Sequence, residues 1–209
     1  MAERASSGHE EKRRLLLDAA VRVFARKGFH ASRVGDIAEE AGVAHGLLYH
    51  YFSSKDEVLE TVFEENWTVL LERIAGVEEA DEPAPQQLVH VAKILLRTWL
   101  HRPDVVRVVI REFARSPEVA PRLGELAKPI EAIERLIVRG IERGELRADL
   151  DVKVAATVFY GPIDELLTAW VLGRLPGDEA GVAAAEQTII ELVLASLVSE
   201  PAAESAATL

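Results

Sequence analysis

Residues 28–59 read GFHASRVGDIAEEAGVAHGLLYHYFSSKDEVL, and the spacing of small and apolar residues in this stretch fits two short helices crossing at a tight turn. Such a unit needs a small residue where the second helix passes over the first, and a glycine where the chain reverses. With Val34 as the first position, Ile37 and Ala41 fall on the inner face, Ala38 at the crossing and Gly42 at the turn. Val43, Leu48 and Tyr51 then supply the inward contacts of the second helix. The helices are expected over about 34–41 and about 45–52. Taken alone, the pattern also fits an unspecialised helical hairpin.

The outer face of the second helix favours a more specific use. His45 with Tyr49, and Gly46 with His50, stand away from the core at four-residue spacing. Polar rings there can meet base edges and phosphates in a major groove, with Gly46 allowing close approach of the backbone. The competing readings are an ordinary wet helix face and a metal site. Five residues apart, His45 and His50 point about 140° away from each other on a helix, which disfavours a shared ion. Neither a metal nor a cofactor is expected.

Around this unit the periodicity is helical throughout, so the fold class is all-α, with about nine helices. A first helix over about 10–28 places Leu16, Ala20, Val23, Phe24 and Lys27 at helical spacing and ends at Gly28. Its outer face carries Lys12, Arg13, Arg22 and Arg26. Lys55 opens a longer helix to about 75, and residues 76–87 read as a polar, Pro-containing connection. Further helices follow over about 86–101, from about 105 to Ser116-Pro117, from about 118 or 122 to 143, from an Asp151 cap to about 172, and over about 179–198. The expected domains are a disordered tail at 1–9, a helix-turn-helix domain at 10–55, a helical ligand-binding and dimerisation domain at 56–200, and a frayed tail at 201–209.

Charge supports a division of labour between these parts. The chain carries a formal charge of -11 overall, yet residues through Lys55 hold nine basic against seven acidic side chains. A slightly basic head on an acidic body meets DNA through the head alone. The 209 residues contain no Cys, which excludes disulfides, thiolate metal sites and Cys nucleophiles. Residues 1–14 lack an apolar signal core and no later stretch reads as a membrane span, so a cytoplasmic protein with no membrane partner is expected. There is no G-x-S-x-G elbow, P-loop, H-E-x-x-H or dinucleotide fingerprint, and no catalytic residues are expected. A helical enzyme, or an adaptor that does not bind DNA, is the rival of another class.

The run over residues 28–59 resembles the DNA-binding head of TetR-family transcriptional regulators, from the Gly28-Phe29 pair through Ile37-Ala38, Ala41-Gly42-Val43 and Tyr49 to Phe52 and Lys55. The resemblance implies that Ser32 contacts phosphate at the start of the second helix, that His45, Gly46, Tyr49 and His50 face DNA, and that Lys55 is a further phosphate contact. The chain departs from the family pattern at Arg33, where Ser or Thr usually caps the helix, at Ala44, where Ser usually begins the recognition helix, and at Leu47, often Thr. Arg33 can restore a phosphate contact as a charge-assisted one, leaving the cap to Ser32 or water. With two hydroxyl donors replaced, shape readout gains weight over direct base readout.

The same resemblance implies a homodimer through the last two helices, a palindromic operator in double-stranded DNA, and release of a repressor from it by a small hydrophobic effector. The final helix, apolar around much of its circumference, fits burial on more than one side. Candidate effector contacts are Trp99, Phe113, Phe159, Tyr160 and Trp170 as apolar walls, with Arg107, Arg111 and Asp164 as polar anchors. Gly161-Pro162 is expected to kink its helix beside a cavity. Residues 159–173, FYGPIDELLTAWVLG, are similar to the matching helix of the FadR-like branch. That branch implies a long-chain acyl-CoA effector controlling fatty-acid metabolism, with an unrelated hydrophobic compound controlling an efflux or catabolic operon as the alternative.

Overall fold

The computed structural model describes residues 2–112 and 123–198, with side chains described for 8–112 and 124–198. Phe113, Ser116, Pro117, Pro121 and the expected tail at 201–209 lie outside the described residues. The elements in order are α1 Ala2–Lys27, α2 Val34–Ala41, a 3₁₀ helix His45–His50, α3 Lys55–Glu79, α4 Ala84–His101, α5 Pro103–Glu112, α6 Leu123–Glu142, α7 Val152–Val171 and α8 Glu179–Ile189. A π-helical turn, Ile190–Leu194, joins α8 to a short α9, Ala195–Leu197. The fold is all-helical: among the described residues the sole β contact is an isolated antiparallel bridge between Leu146 and Val198.

The chain divides into two compact units. The first runs to Val69 and takes in α5 from Arg102 onward; the second holds the chain from Leu70 to His101 and from Arg122 onward. This division departs from the expected boundary after residue 55 in two places. Val58, Leu59, Val62 and Phe63 of α3 are buried in the first unit, and α5 adds Val105, Val106 and Val108. An apolar helix face read from sequence does not name the element it packs on, so the spacing of α5 does not tell which unit it joins.

In the first unit Leu16, Ala20, Val23 and Phe24 of α1 are buried as expected, together with Ile37, Ala38, Leu48 and Phe52. Ala41, Val43 and Tyr51 are only half-buried. Lys27 is exposed and ion-paired to Asp36 at 2.8 Å. α1 begins at Ala2, so residues 2–9 are helical rather than a disordered tail. They contain no Pro, their single Gly8 costs a helix only about 1 kcal/mol, and the His9 ring packs 4.5 Å from that of Tyr51.

In the second unit the core is built from Leu88, Val91 and Leu96 of α4, Ile133, Leu136 and Ile137 of α6, Phe159 and Ile163 of α7, and Val182 and Ile189 of α8. The polar connection expected at 76–87 shrinks to 80–83. Buried Gln87 extends α3 by donating its Nε2 to the carbonyls of Val77 and Ala80, both at 2.8 Å, while the prolines at 83 and 85 suit the first turn of α4. Asp151 caps α7 by accepting from Val154 N at 3.1 Å. α7 runs through Gly161-Pro162 without a break. Pro162 has no N–H to offer the Val158 carbonyl, and Val158 lies on the exposed side of the helix at 54%.

Candidate nucleic-acid interface

Gly42 ends α2 in the left-handed conformation (φ 68°, ψ 31°). The Val43 N–H then returns to the Ala38 carbonyl at 3.0 Å, closing a Schellman-type stop. Two residues later the chain enters the His45–His50 segment, shorter than expected and wound as a 3₁₀ helix rather than an α-helix. The cause lies in Ala44, which has no side-chain acceptor for the first N–H groups. These are served by tight backbone bonds instead, as in Leu47 N to Ala44 O at 2.8 Å. Leu48 is fully buried and anchors the segment, while Ala44, His45, Gly46, Tyr49 and His50 are all exposed. Tyr49 leaves 55% of its surface in solvent. Its ring centre lies 6.1 Å from that of His45, and the His45 ring rests on Gly35, where a Cβ would come within 3.2 Å of it. Gly35 was missed in the sequence because its role is a cross-helix contact.

Ser32 and Lys55, expected as phosphate contacts, both bond within the turn between α1 and α2. Ser32 is 4% exposed and its Oγ donates to the Phe29 carbonyl at 2.7 Å, so its one hydroxyl proton is committed inside the turn. Lys55 is half-buried; its Nζ donates to the carbonyls of Phe29 (2.7 Å) and Ser32 (2.9 Å) and sits 4.2 Å above the Phe29 ring centre. Arg33 is exposed at the start of α2. Arg33 makes no side-chain cap, and Ser32 is bonded within the turn; Asp36 supplies the reciprocal bond instead, its carboxylate accepting the Arg33 N–H at 2.8 Å. Lys27, then that N–H, hold the Asp36 carboxyl below its ordinary value. A reversed capping pair, with only the acidic member present, was the available signal in the sequence.

Much of the head's positive charge is internally balanced. Arg22 and Arg26 both bind Glu40, at 2.7 and 2.9 Å, and hold its carboxyl low, and Arg13 binds Glu65 at 2.5 Å. Among the described residues no ion pair engages Lys12, Arg14 or Arg33, which are exposed. His45 and His50 form no metal cluster with other His, Asp or Glu among the described residues.

The residues expected around an effector divide between the two units. Arg107 and Arg111 lie on α5 in the first; Arg107 binds Asp104 at 2.6 Å and Arg111 reaches the Ala25 carbonyl at 3.4 Å. Trp99, Phe159, Tyr160, Asp164 and Trp170 lie in the second. Trp99 and Trp170 are buried with ring centres 6.1 Å apart, and the Trp99 indole N–H donates to Gly177 O at 2.8 Å, pinning the turn into α8. Phe159 is fully buried. Burial, then Asp164, pushes the Tyr160 hydroxyl up to about 12, and desolvation, then Glu165, raises Asp164. A groove of about 730 Å³ on the second unit is lined instead by Glu131, Glu134, Arg135, Val138, Arg139 and Val152. None of the expected effector residues lines it.

A buried hairpin of α2 and a 3₁₀ helix with an exposed polar ridge defines a helix-turn-helix, and the comparisons agree. The model of bacterial regulatory proteins of the tetR family matches residues 16–62, and that of tetracyclin repressor-like C-terminal domains matches residues 84–203. The chain belongs to the TetR family and is a DNA-binding transcriptional repressor of that family. It is similar to the fatty acid metabolism regulator protein of Bacillus subtilis, at 29% identity over 87% of this chain and 93% of the relative. Its fold matches the transcriptional regulator FadR from that organism, solved in complex with stearoyl-CoA, with a TM-score of 0.76 and 28% identity, covering 88% of this chain and 98% of the other. It is also similar to the transcriptional repressor KstR2 of Rhodococcus jostii, at 28% identity over 93% of this chain and 95% of the relative.

Proposed function

We propose that the chain is an acyl-CoA-responsive repressor whose operator contact rests on the ridge of Ala44, His45, Gly46, Tyr49 and His50, with Arg33 as a phosphate anchor. The observation that carries the DNA contact is the exposure of this ridge around fully buried Leu48. Polar rings held this way by a rigid hairpin read base edges, while exposed cations position the backbone. Ser32 and Lys55 act indirectly, through the turn that they hold. A repressor of this kind works where the chromosome is, in the cytoplasm.

A single ridge of this length spans few base pairs, so two copies must act together. The apolar residues Val154 and Val158 of α7, Leu172 just past its end, and Leu192 on the π turn are exposed in the single chain. Glu179–Leu197 is long and apolar enough to cross a membrane by length and composition, with only 33% of its most apolar window buried. A second copy docking these helices against its own is the occupant that turns them into a core.

The FadR likeness supports a long-chain acyl-CoA as the effector, and the KstR2 likeness supports a different apolar compound as the second reading. A labelled palindromic duplex, enriched from a random library by the protein, tests both. Palmitoyl-CoA and stearoyl-CoA are expected to release it at lower concentrations than octanoyl-CoA or free coenzyme A. Equal action of all four, or release by unrelated hydrophobic drugs alone, sinks the acyl-CoA reading. Tyr49→Ala and His50→Ala are each expected to weaken duplex binding by about 1–3 kcal/mol with the dimer intact. Unchanged affinity refutes the ridge.

A further inference from the structure

Phe29 occupies the turn between α1 and α2, and both of its peptide groups are held by charged side chains from distant parts of the chain. Its N–H donates to Glu112 Oε1 at 3.1 Å, at the last residue of α5. Its carbonyl accepts from Lys55 Nζ at the start of α3. Opposite charges thus grip the same residue from its two sides, and hydrogen bonds to ionised groups are stronger than neutral ones. The neighbouring Gly28 takes the left-handed conformation, φ 81°, that lets the chain turn from α1 into this grip. Arg111 adds a bond to the Ala25 carbonyl, so the final turn of α5 holds both the last turn of α1 and Phe29, two residues beyond its end.

The turn leads directly into the interface. Ser32, bonded to the Phe29 carbonyl, immediately precedes Arg33, where α2 is capped. The placement of residues 29–32 therefore decides where α2 begins and how the ridge of Tyr49 and His50 is presented. Only Arg102 separates α5 from α4 in the sequence, so this grip ties the operator-facing turn to a helix covalently continuous with the second unit.

We propose that Glu112 is a positioning residue for operator recognition: by accepting the Phe29 N–H it locks the turn 29–32 and aligns the ridge for specific contact. This rests on the DNA-contact reading above. The test uses the full-length protein, the enriched palindromic duplex and a scrambled duplex of equal length at the same salt, with amide exchange at Phe29 followed in parallel. Glu112→Ala is expected to weaken binding to the enriched duplex about ten-fold, to leave the scrambled duplex within about two-fold, and to accelerate exchange at Phe29. Glu112→Gln, whose amide oxygen accepts the same N–H, keeps all three near wild type. Should Glu112→Ala fail to fold, Glu112→Asp, one methylene shorter, takes its place with the same selective loss expected. Wild-type affinity for the enriched duplex in the Ala or Asp variant overturns the assignment. So does unchanged Phe29 exchange, an equal loss on both duplexes, or a Gln variant as weak as the Ala variant. Failure of the wild-type protein to enrich any duplex removes the DNA-contact reading and this inference with it, a result separable from failure of the variants alone.

Discussion

At the scale of single residues, the head is organised by charges that serve the protein before they serve DNA. Lys55, Arg22, Arg26 and Lys27 look like free cations in the sequence, yet each is bound to a backbone carbonyl or a carboxylate of the same unit. Asp36 and Glu40 titrate below their ordinary values because Lys27 and the Arg33 N–H bind the first, and Arg22 and Arg26 the second. A carboxylate with a lowered folded-state value contributes stability above its unfolded value, and that contribution is lost as pH falls through the folded one. Thermal melts by circular dichroism are expected to show the midpoint falling from about pH 4 downward, with a shallower fall in Asp36→Asn. An identical slope in that variant would exclude the pair as a cause. Asp164 carries the opposite sign. It is raised by desolvation and by Glu165, so its ionised form is less favoured in the folded chain than in the unfolded one. Asp164→Asn is accordingly expected to raise the melting midpoint at pH 7 and to change it little at pH 3.

Among elements, caps decide where helices start and which kind they are. α7 has a bonded cap in Asp151, as does α8 in Asp178, which accepts from Gly181 N at 2.9 Å. The His45–His50 segment has none at Ala44 and winds as a 3₁₀ helix. Asp151→Ala should cost about 0.5–2 kcal/mol in urea unfolding, and a change below about 0.2 kcal/mol would place the start of α7 under tertiary control. Close packing sets a second limit at Gly140 in α6. A Cβ there would lie 2.6 Å from Leu146 Cδ1 and 2.8 Å from Ala84 Cβ, so Gly140→Ala is expected to destabilise the second unit by about 1–3 kcal/mol.

For the whole molecule, the exposed apolar residues of α7 and the π turn are the surface that the proposed dimer covers. Val158 is 54% exposed and Leu192 71%. Val158→Glu with Leu192→Glu is expected to yield a folded, helical monomer in sedimentation velocity. Loss of the second contact should lower affinity for the palindromic duplex by about 10²-fold or more. A dimer that survives both substitutions places the interface elsewhere.

The amino-acid sequence by itself determined the all-helical class, the turn at Gly42, the burial of Ile37, Ala38 and Leu48, and the outward ridge from His45 to His50. These follow from local spacing, which sets the side of a helix on which a residue lies. The cap at Asp151 was legible for the same reason, since its partner is three residues away. The fold alone decided that α5 packs with the head, that Lys55 bonds the carbonyls of Phe29 and Ser32, that Trp99 pins Gly177, and that Glu112 grips Phe29. Each depends on a partner distant in sequence, in the last case 83 residues away, and helical periodicity carries no record of which distant group a side chain will meet.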